Sequence, residues 1–201
     1  MVLEATVLMG LLGQCQNSVD TDILKRLIDI ESSSNPNAIA IIGAASISQP
    51  ATQLDAINIA HDLDSKGFNY SLGLMQINKH NFAPQGLTIE TAFDSCRNIQ
   101  AGANIFADCF ERAKTQSPNK PRDALLNDAA SCYYSGNFTR GYQPDNSGTS
   151  YIDRFNDLTS NTMNHSDIKS TPSVSKAAIE NISPSTTNQP WDVFGDFSPK
   201  R

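Results

Sequence analysis

Apolar residues recur three and four positions apart in several stretches of the chain, which is the spacing of one helix face. The clearest stretch runs from Asp20 to Ser32, with apolar positions on one side and charged residues on the other. Four more helices are predicted from about 52 to 66, 94 to 114, 122 to 135 and 150 to 158. Strand patterns are weak, so a small hairpin at most is expected between residues 38 and 50. The pattern predicts a mainly α, α+β fold with a minor hairpin.

The two ends of the chain differ from this helical region. After residue 161, Ser, Thr, Asn and Pro dominate, which predicts a disordered tail over 162–201 and a folded domain over 18–161. Residues 1–17 are mostly apolar, but no Lys or Arg precedes Lys25. A signal peptide normally begins with basic residues, so this segment is interpreted either as an atypical leader or as a plain N-terminal segment.

Composition narrows the possible functions. Hydrophobic residues make up 39% of the 201 residues, which is enough for one core. The net charge of −6 disfavours a nucleic-acid binder, because such proteins carry a basic surface. No run of about 18 apolar residues occurs, so no membrane-spanning helix is expected.

Four cysteines are present without a CxxC pair or zinc-type spacing to a histidine. An even number without metal spacing predicts two disulfides and an oxidising compartment; four buried free thiols are the alternative. Cys96 and Cys109 fall on one predicted helix, separated by a rise of about 20 Å, which is too far for a bridge between them. Each must therefore pair with Cys15 or Cys132, and two connectivities remain open.

The first clear helix ends in a glutamate followed by a polar turn, "ESSSNPN", Glu31 to Asn37. At 100° per residue, Glu31 lies within about 40° of Leu24 and Leu27, so its carboxyl extends the apolar stripe. Desolvation raises the pKa of a carboxyl, and a carboxyl that stays protonated can act as a general acid on a glycosidic oxygen. The alternative is a helix-end carboxylate bonded to serine hydroxyls or backbone.

Two later stretches carry groups suited to a sugar. In "NYSLGLMQIN", residues 69–78, Gly73 permits a close backbone approach, and the amides that follow it both donate and accept hydrogen bonds. In "AASCYYSGNF", residues 129–138, Tyr133 and Tyr134 stand at a helix end, where a tyrosine ring can stack on a sugar face. Taken alone, the first stretch is better explained as a loop packed on a core, and the second is a weak signal.

Together, these three stretches resemble the lytic transglycosylases that have a goose-type-lysozyme-like (SLT) catalytic domain. Glu31-Ser32 matches the family's "ES" motif, residues 73–77 match its "GLMQI" motif, and residues 130–136 match part of its "AxYNxG" region. The resemblance covers about residues 18 to 160. It is greatest to the transglycosylase of VirB-type type IV secretion systems, which shares a long insert, a "CYYxGNF" pattern and four similarly placed cysteines.

The resemblance implies roles for individual residues. Glu31 would be the catalytic acid, and Gln76 and Tyr133 would hold the muramoyl unit. The glycan groove would be lined by three further residues, Ser71, Met75 and Asn78. Ser71 is a replacement, because the family's substrate-binding serine cannot be aligned through the insert between Glu31 and Gly73. Tyr134 departs from the family pattern, since many members have Asn there, and this departure bears on the glycan contact.

No second acid lies in the three motifs, which suggests that the substrate supplies the nucleophile. The resemblance implies that Glu31 protonates the bond between N-acetylmuramic acid and N-acetylglucosamine. The 2-acetamido group then attacks, and Glu31 takes the proton of the C6 hydroxyl as a 1,6-anhydro ring closes. It also implies a periplasmic enzyme without metal or organic cofactor. Its expected partners are peptidoglycan glycan strands and, through the tail, other components of a secretion apparatus.

Two other functions stay open at this point. One is a lysozyme-type muramidase that hydrolyses the same bond, and the other is a catalytically silent glycan-binding assembly protein. A metalloenzyme or serine hydrolase is disfavoured, because the three histidines are scattered and neither HExxH nor GxSxG occurs.

Overall fold

The helices follow the apolar periodicity of the sequence. The computed structural model describes residues 2–15, 18–44, 46–145 and 148–160. Within these residues six α-helices occur, five of them at the predicted places: α1 Ala5–Cys15, α2 Thr21–Ser32, α3 Gln53–Ser65, α4 Ser95–Gln116, α5 Arg122–Ser135 and α6 Tyr151–Ser160. With the small antiparallel sheet, they confirm the predicted fold class. The predicted tail, 162–201, lies outside the described residues.

Described residues up to Gly102 form one compact unit, and those from Ala103 form a second. In the first unit, three antiparallel strands lie in the order β1 Ile39–Ile41, β2 Tyr70–Leu72 and β3 Ile77–Asn78. Ile39 faces Leu72, and Leu72 faces Ile77. A turn of four residues, 73–76, therefore connects β2 to β3 as a hairpin.

The prediction of a hairpin between residues 38 and 50 is wrong. β1 lies in this range, but its strand partner is β2, which comes after α3 in the chain. Gly43, with φ of 75°, turns the chain away. The Gln49 side chain then accepts from Ile39 N at 2.8 Å and donates to Ile39 O at 3.0 Å. The Gln49 side-chain amide thus pairs both backbone polar groups of Ile39, on the side of β1 where a second strand was expected.

The helix α1 was not predicted. Leu8 and Leu12 are 1% and 0% exposed, and α1 packs against α2. Ahead of α1, Leu3 N donates to Ser34 O at 2.8 Å. Residues 2–15 are therefore packed into the first unit through an apolar face, although their sequence also suited a leader.

The α3 insert begins and ends as its sequence indicates. Thr52 Oγ1 accepts from Asp55 N at 3.1 Å and so caps the first turn of the helix. Gly67 follows the helix with φ of 76°, the left-handed conformation that ends many helices. No neighbouring atom lies within 4 Å of the place that a Gly67 Cβ would take. A glycine is therefore favoured here by the positive φ and not by a lack of space for a side chain.

The second unit is organised around α5, which packs against α6 and the loop that precedes α6. Ser131 Oγ donates to Asn137 O and accepts from Gly141 N, each at 2.9 Å. A Cβ on Gly141 would lie 2.7 Å from Ser131 Cα, so the loop runs directly over the helix backbone. Phe106 of α4 and Phe155 of α6 are buried nearby, with ring centroids 6.5 Å apart.

Both predicted disulfides are present, and all four cysteines are paired. Cys15–Cys96 ties α1 to the start of α4 in the first unit, with Cα atoms 4.8 Å apart. Cys109–Cys132 ties α4 to α5 in the second unit, with Cα atoms 5.7 Å apart. The exclusion of a Cys96–Cys109 bridge is confirmed, and the structure selects one of the two connectivities left open.

Candidate active site

Glu31 is the penultimate residue of α2 and is half-buried. Leu24, Leu27 and Ile28 of the same helix are each 0% exposed. Because Glu31 follows them by seven, four and three positions, its side chain leaves the helix on the buried side. The structure therefore places this carboxyl at the edge of the core, where its access to water is reduced.

The two residues that follow α2 have a strained backbone. Ser33 and Ser34 adopt φ of 51° and 62°, which is the left-handed region that non-glycine residues rarely enter. Ser33 N donates to Asp29 O at 3.3 Å, and Ser34 Oγ donates to Asp29 Oδ1 at 3.4 Å. These bonds end the helix abruptly just after Glu31 and turn the chain away from it.

The turn is completed by buried polar side chains. Asn37 N donates to Asn35 Oδ1 at 3.1 Å, and Ala38 N donates to Asn35 O at 3.3 Å. Asn35 and Asn37 are only 9% and 7% exposed. This "SNPN" segment is thus a closed, internally bonded connection from Glu31 to β1.

The turn between β2 and β3 is held just as tightly. Gly73 has φ of 80°, and Gln76 has φ of 46°, with Gln76 N donating to Gly73 O at 3.1 Å. Ser33, Ser34 and Gln76 are the three non-glycine residues with positive φ among those described. All three belong to the motifs at Glu31 and at Gly73–Ile77, and such strain is often found at functional sites.

The Gln76 side chain joins these two motifs. Its Nε2 donates to Ala38 O at 3.2 Å and to Gly73 O at 2.9 Å, while Gly73 N donates to Ala38 O at 2.9 Å. The two groups that the Gln76 side chain contacts are both backbone carbonyl oxygens, which only accept hydrogen bonds. The side-chain amide must therefore turn its nitrogen toward them and its oxygen away. The segment that leads from Glu31 to β1 is therefore hydrogen-bonded directly to the turn between β2 and β3.

Three predicted groove residues lie inside the fold. Met75, Ser71 and Asn78 are 0%, 2% and 3% exposed. Asn78 Nδ2 donates to Ser71 Oγ at 3.4 Å and to Asn69 Oδ1 at 2.9 Å, while its Oδ1 accepts from His80 N at 3.1 Å. Burial favours a supporting role over direct sugar contact, and a groove-lining role for these residues stays a prediction.

In the second unit, Tyr133 is half-buried near the end of α5, with its ring centroid 6.3 Å from that of Phe106. The preceding residue, Cys132, is fixed by its disulfide to Cys109. Gly136, with φ of 75°, donates its N–H to Cys132 O at 2.7 Å and ends the helix. Tyr133 is therefore presented from a backbone that is anchored on both sides.

Tyr134, the residue that departs from the family pattern, is 7% exposed. Its ring stacks on Tyr151 of α6, with centroids 4.6 Å apart and planes inclined by 24°. The Arg140 guanidinium lies 5.9 Å from the Tyr134 centroid. This tyrosine therefore contributes to the packing of α5 on α6 within the second unit.

Sequence reasoning missed Asn98 on α4. Asn98 is 1% exposed, and its side chain makes three hydrogen bonds to backbone atoms, one of them to Met75 N. Gly102, four residues later, gives Met75 room, because a Cβ there would lie 2.6 Å from Met75 Cε. The available signal was this pairing of a polar residue and a glycine one turn apart on a helix face.

Comparison with known proteins bears on what this arrangement does. Residues 12–156 match the Transglycosylase SLT domain family. The chain belongs to this family. As an SLT-domain protein it carries the "ES" and "GLMQI" motifs in the first unit and the tyrosine motif in the second.

Several curated proteins are similar to this SLT-domain chain. It is 38% identical over 70% of its length to "Type IV secretion system protein virB1" of Brucella abortus biovar 1 (strain 9-941), covering 59% of that protein. It is 33% identical over 64% of its length to "Protein virB1" of Agrobacterium tumefaciens (strain 15955), covering 53% of it. The chain thus spans less than two thirds of the length of these relatives.

No solved structure gives a significant match to this SLT-domain chain. Among its described residues, none of the helices has the length and apolar character needed to cross a membrane. The same residues hold no cluster of three or more His, Cys, Asp or Glu side chains placed to bind a metal ion.

Proposed function

We propose that this protein is a lytic transglycosylase that cleaves the β-1,4 bond between N-acetylmuramic acid and N-acetylglucosamine in peptidoglycan without using water. Membership of the Transglycosylase SLT domain family supports the reaction class. The observation that carries the proposal is the placement of Glu31, half-buried at the end of α2 and two residues before Ser33 and Ser34, whose backbones are left-handed. Backbone strain of this kind persists only where the surrounding structure imposes it, and it is found most often at active sites.

The proposed chemistry uses Glu31 twice. Its carboxyl gives a proton to the glycosidic oxygen as the bond to the anomeric carbon breaks. The oxygen of the 2-acetamido group bonds to that carbon and forms a cyclic intermediate, as in substrate-assisted glycosidases. The Glu31 carboxylate then removes the proton of the C6 hydroxyl, whose oxygen displaces the acetamido oxygen. The product is a 1,6-anhydromuramoyl end, and Glu31 is again protonated.

The other site residues receive unequal roles in the proposal. Gln76 presents its side-chain oxygen to the muramoyl unit, because its nitrogen is bonded to two backbone carbonyls. Tyr133 takes its substrate-binding role from the family motif alone. Ser71, Met75 and Asn78 support the β2–β3 hairpin from inside the fold, in keeping with their burial.

We also propose where the reaction takes place. The similarity to virB1 proteins, two of them named above, favours action in the periplasm, where an enzyme of this kind would open the cell wall locally for a type IV secretion or conjugation apparatus. The two disulfides agree with an oxidising compartment. The domain limits proposed are 18–161 for the catalytic domain and 162–201 for a tail that contacts other components of the apparatus.

Mass spectrometry of purified peptidoglycan digested by the wild type and by Glu31→Gln tests the proposal. The wild type is expected to release anhydro-muropeptides about 18 Da lighter than hydrolysed products, because no water is added. Glu31→Gln is expected to release none while keeping its circular dichroism spectrum. Asp22→Asn, an exposed acid in the first turn of the same helix, is the matched control and should cut normally.

Each other outcome contradicts a different part of the proposal. Products with a reducing end would indicate a hydrolytic muramidase. Normal cleavage by Glu31→Gln would remove Glu31 from the mechanism. A folded, fully disulfide-bonded wild type that releases nothing would favour a silent glycan-binding protein.

A further inference from the structure

The side chain of Asn98 connects three separate backbone segments of the first unit. Its Nδ2 donates to Leu72 O at the end of β2, at 2.9 Å, and to Ala92 O, at 2.7 Å. Its Oδ1 accepts from Met75 N at 2.7 Å. Two carbonyl acceptors and one N–H donor fix the orientation of this amide without ambiguity. At 1% exposure, the side chain is shielded from solvent.

Glycines on both sides let the loop and the helix approach this closely. A Cβ on Gly73 would lie 2.3 Å from Asn98 Nδ2 and 2.6 Å from Ala92 O. A Cβ on Gly102 would lie 2.6 Å from Met75 Cε. The Gly73–Gln76 turn therefore rests directly on α4, and the position of α4 sets the position of the turn.

The residue next to this contact is Gln76. Its φ of 46° is one that a glutamine adopts only when its surroundings impose it. Asn98 holds Met75 N on one side of Gln76, and the Gln76 side chain is bonded to Ala38 O on the other. Release of Met75 N would let Gln76 return to an ordinary φ, and its side chain would then leave Ala38.

We propose that Asn98 is a positioning residue for the reaction: it acts through the turn to aim Gln76 at the substrate and does not touch the glycan itself. This inference rests on the proposed function for its catalytic consequence. Its structural part, that Asn98 dictates the conformation of the turn, stands without any assumption about the reaction.

The test substitutes Asn98→Asp, which keeps the shape and the acceptor oxygen but replaces the donor nitrogen. An ionised carboxylate cannot donate to Leu72 O and Ala92 O, whereas a protonated carboxyl regains one donor. Asn98→Ser, which replaces the amide with a shorter hydroxyl and adds no charge, is the second variant. Asn58→Asp makes the same charge change on an exposed position of α3 and is the control.

Three readouts are needed: hydrogen exchange of the Met75 amide, the NMR shift of the Gln76 side-chain amide, and kcat and KM on purified peptidoglycan. We expect faster Met75 exchange, a shifted Gln76 amide, and a kcat lowered by about 100-fold, because a displacement of about 1 Å costs about that much. For Asn98→Asp, the ratio of its kcat to that of the wild type should rise as the pH falls. Asn58→Asp should behave as the wild type.

Folded Asn98 variants with wild-type kcat and KM would overturn the inference. An unchanged exchange rate of the Met75 amide together with an unchanged NMR shift of the Gln76 side-chain amide would also overturn it. The same holds if, at every pH, the loss of activity is fully explained by the loss of folded protein measured by circular dichroism. A wild type without product would instead refute the proposed function. In that case the exchange and NMR readouts still decide whether Asn98 dictates the turn.

Discussion

Gly67 and Gly73 offer a direct test of how the Gln76 turn is built. Both have left-handed backbones, with φ of 76° and 80°. A Cβ on Gly67 would meet nothing within 4 Å, whereas one on Gly73 would lie 2.3 Å from Asn98 Nδ2. Substitution of each by alanine therefore imposes the same backbone strain, but only Gly73→Ala also displaces Asn98. The difference between the two variants measures the close contact alone.

The expected magnitudes follow from these contacts. A non-glycine residue in the left-handed region costs about 1 kcal/mol, so Gly67→Ala should lower the free energy of unfolding by about that amount. Gly73→Ala adds the displacement of Asn98 from its buried hydrogen bonds to Leu72 O and Ala92 O, at about 1 to 1.5 kcal/mol each. We therefore expect Gly73→Ala to lose about 3 to 4 kcal/mol, which is about 2 to 3 kcal/mol more than its control.

Thermal unfolding followed by circular dichroism is a suitable assay. At about 2 to 4 °C per kcal/mol for a chain of this size, the Tm of Gly73→Ala should lie about 4 to 12 °C below that of Gly67→Ala. Peptidoglycan cleavage measured below both unfolding temperatures should be reduced in Gly73→Ala alone. Equal Tm values for the two variants would refute the reasoning, because the contact with Asn98 would then contribute nothing.

Two further predictions concern stability. Burial, helped by a hydrogen bond to Asp64 Oδ1 at 3.0 Å, raises the pKa of Tyr70 above its ordinary value of about 10. The pKa of Tyr70 is higher in the folded than in the unfolded protein, so the folded state holds this proton more tightly. The contribution of Tyr70 to the free energy of unfolding is therefore complete below about pH 10 and declines as the pH rises toward the folded pKa. Tyr70→Phe should show a smaller alkaline loss in urea titrations, and an equal loss would contradict this. Replacement of both Cys109 and Cys132 by serine opens a crosslink across 23 residues and should cost about 3 kcal/mol in the same titration; an unchanged urea midpoint would contradict this.

The local pattern of the sequence was sufficient for most helices and for their ends. α2, α3 and α5 begin and end within one or two residues of the predicted places. Apolar periodicity and end signals such as Thr52 and Gly67 each act on residues only a few positions away, so they can be read from the sequence. The position of Glu31 on the buried side of α2 follows from the same periodicity. The exclusion of a Cys96–Cys109 bridge likewise needed only the rise of one helix.

Features that depend on contacts between distant segments became visible only in the folded chain. The partner of β1, the choice between two disulfide connectivities and the stacking of Tyr134 on Tyr151 each join residues whose spacing in the chain carries no signal. The orientation of the Gln76 side-chain amide and the hydrogen bonds that Asn98 makes to the β2–β3 turn depend on backbone atoms of other elements. The sequence alone indicated the side chains for which the chemistry is proposed, since those lie in short local motifs. How the Gln76 side chain is held depends on the packing of α4 against the β2–β3 turn, because such long-range contacts exist only once the chain has folded.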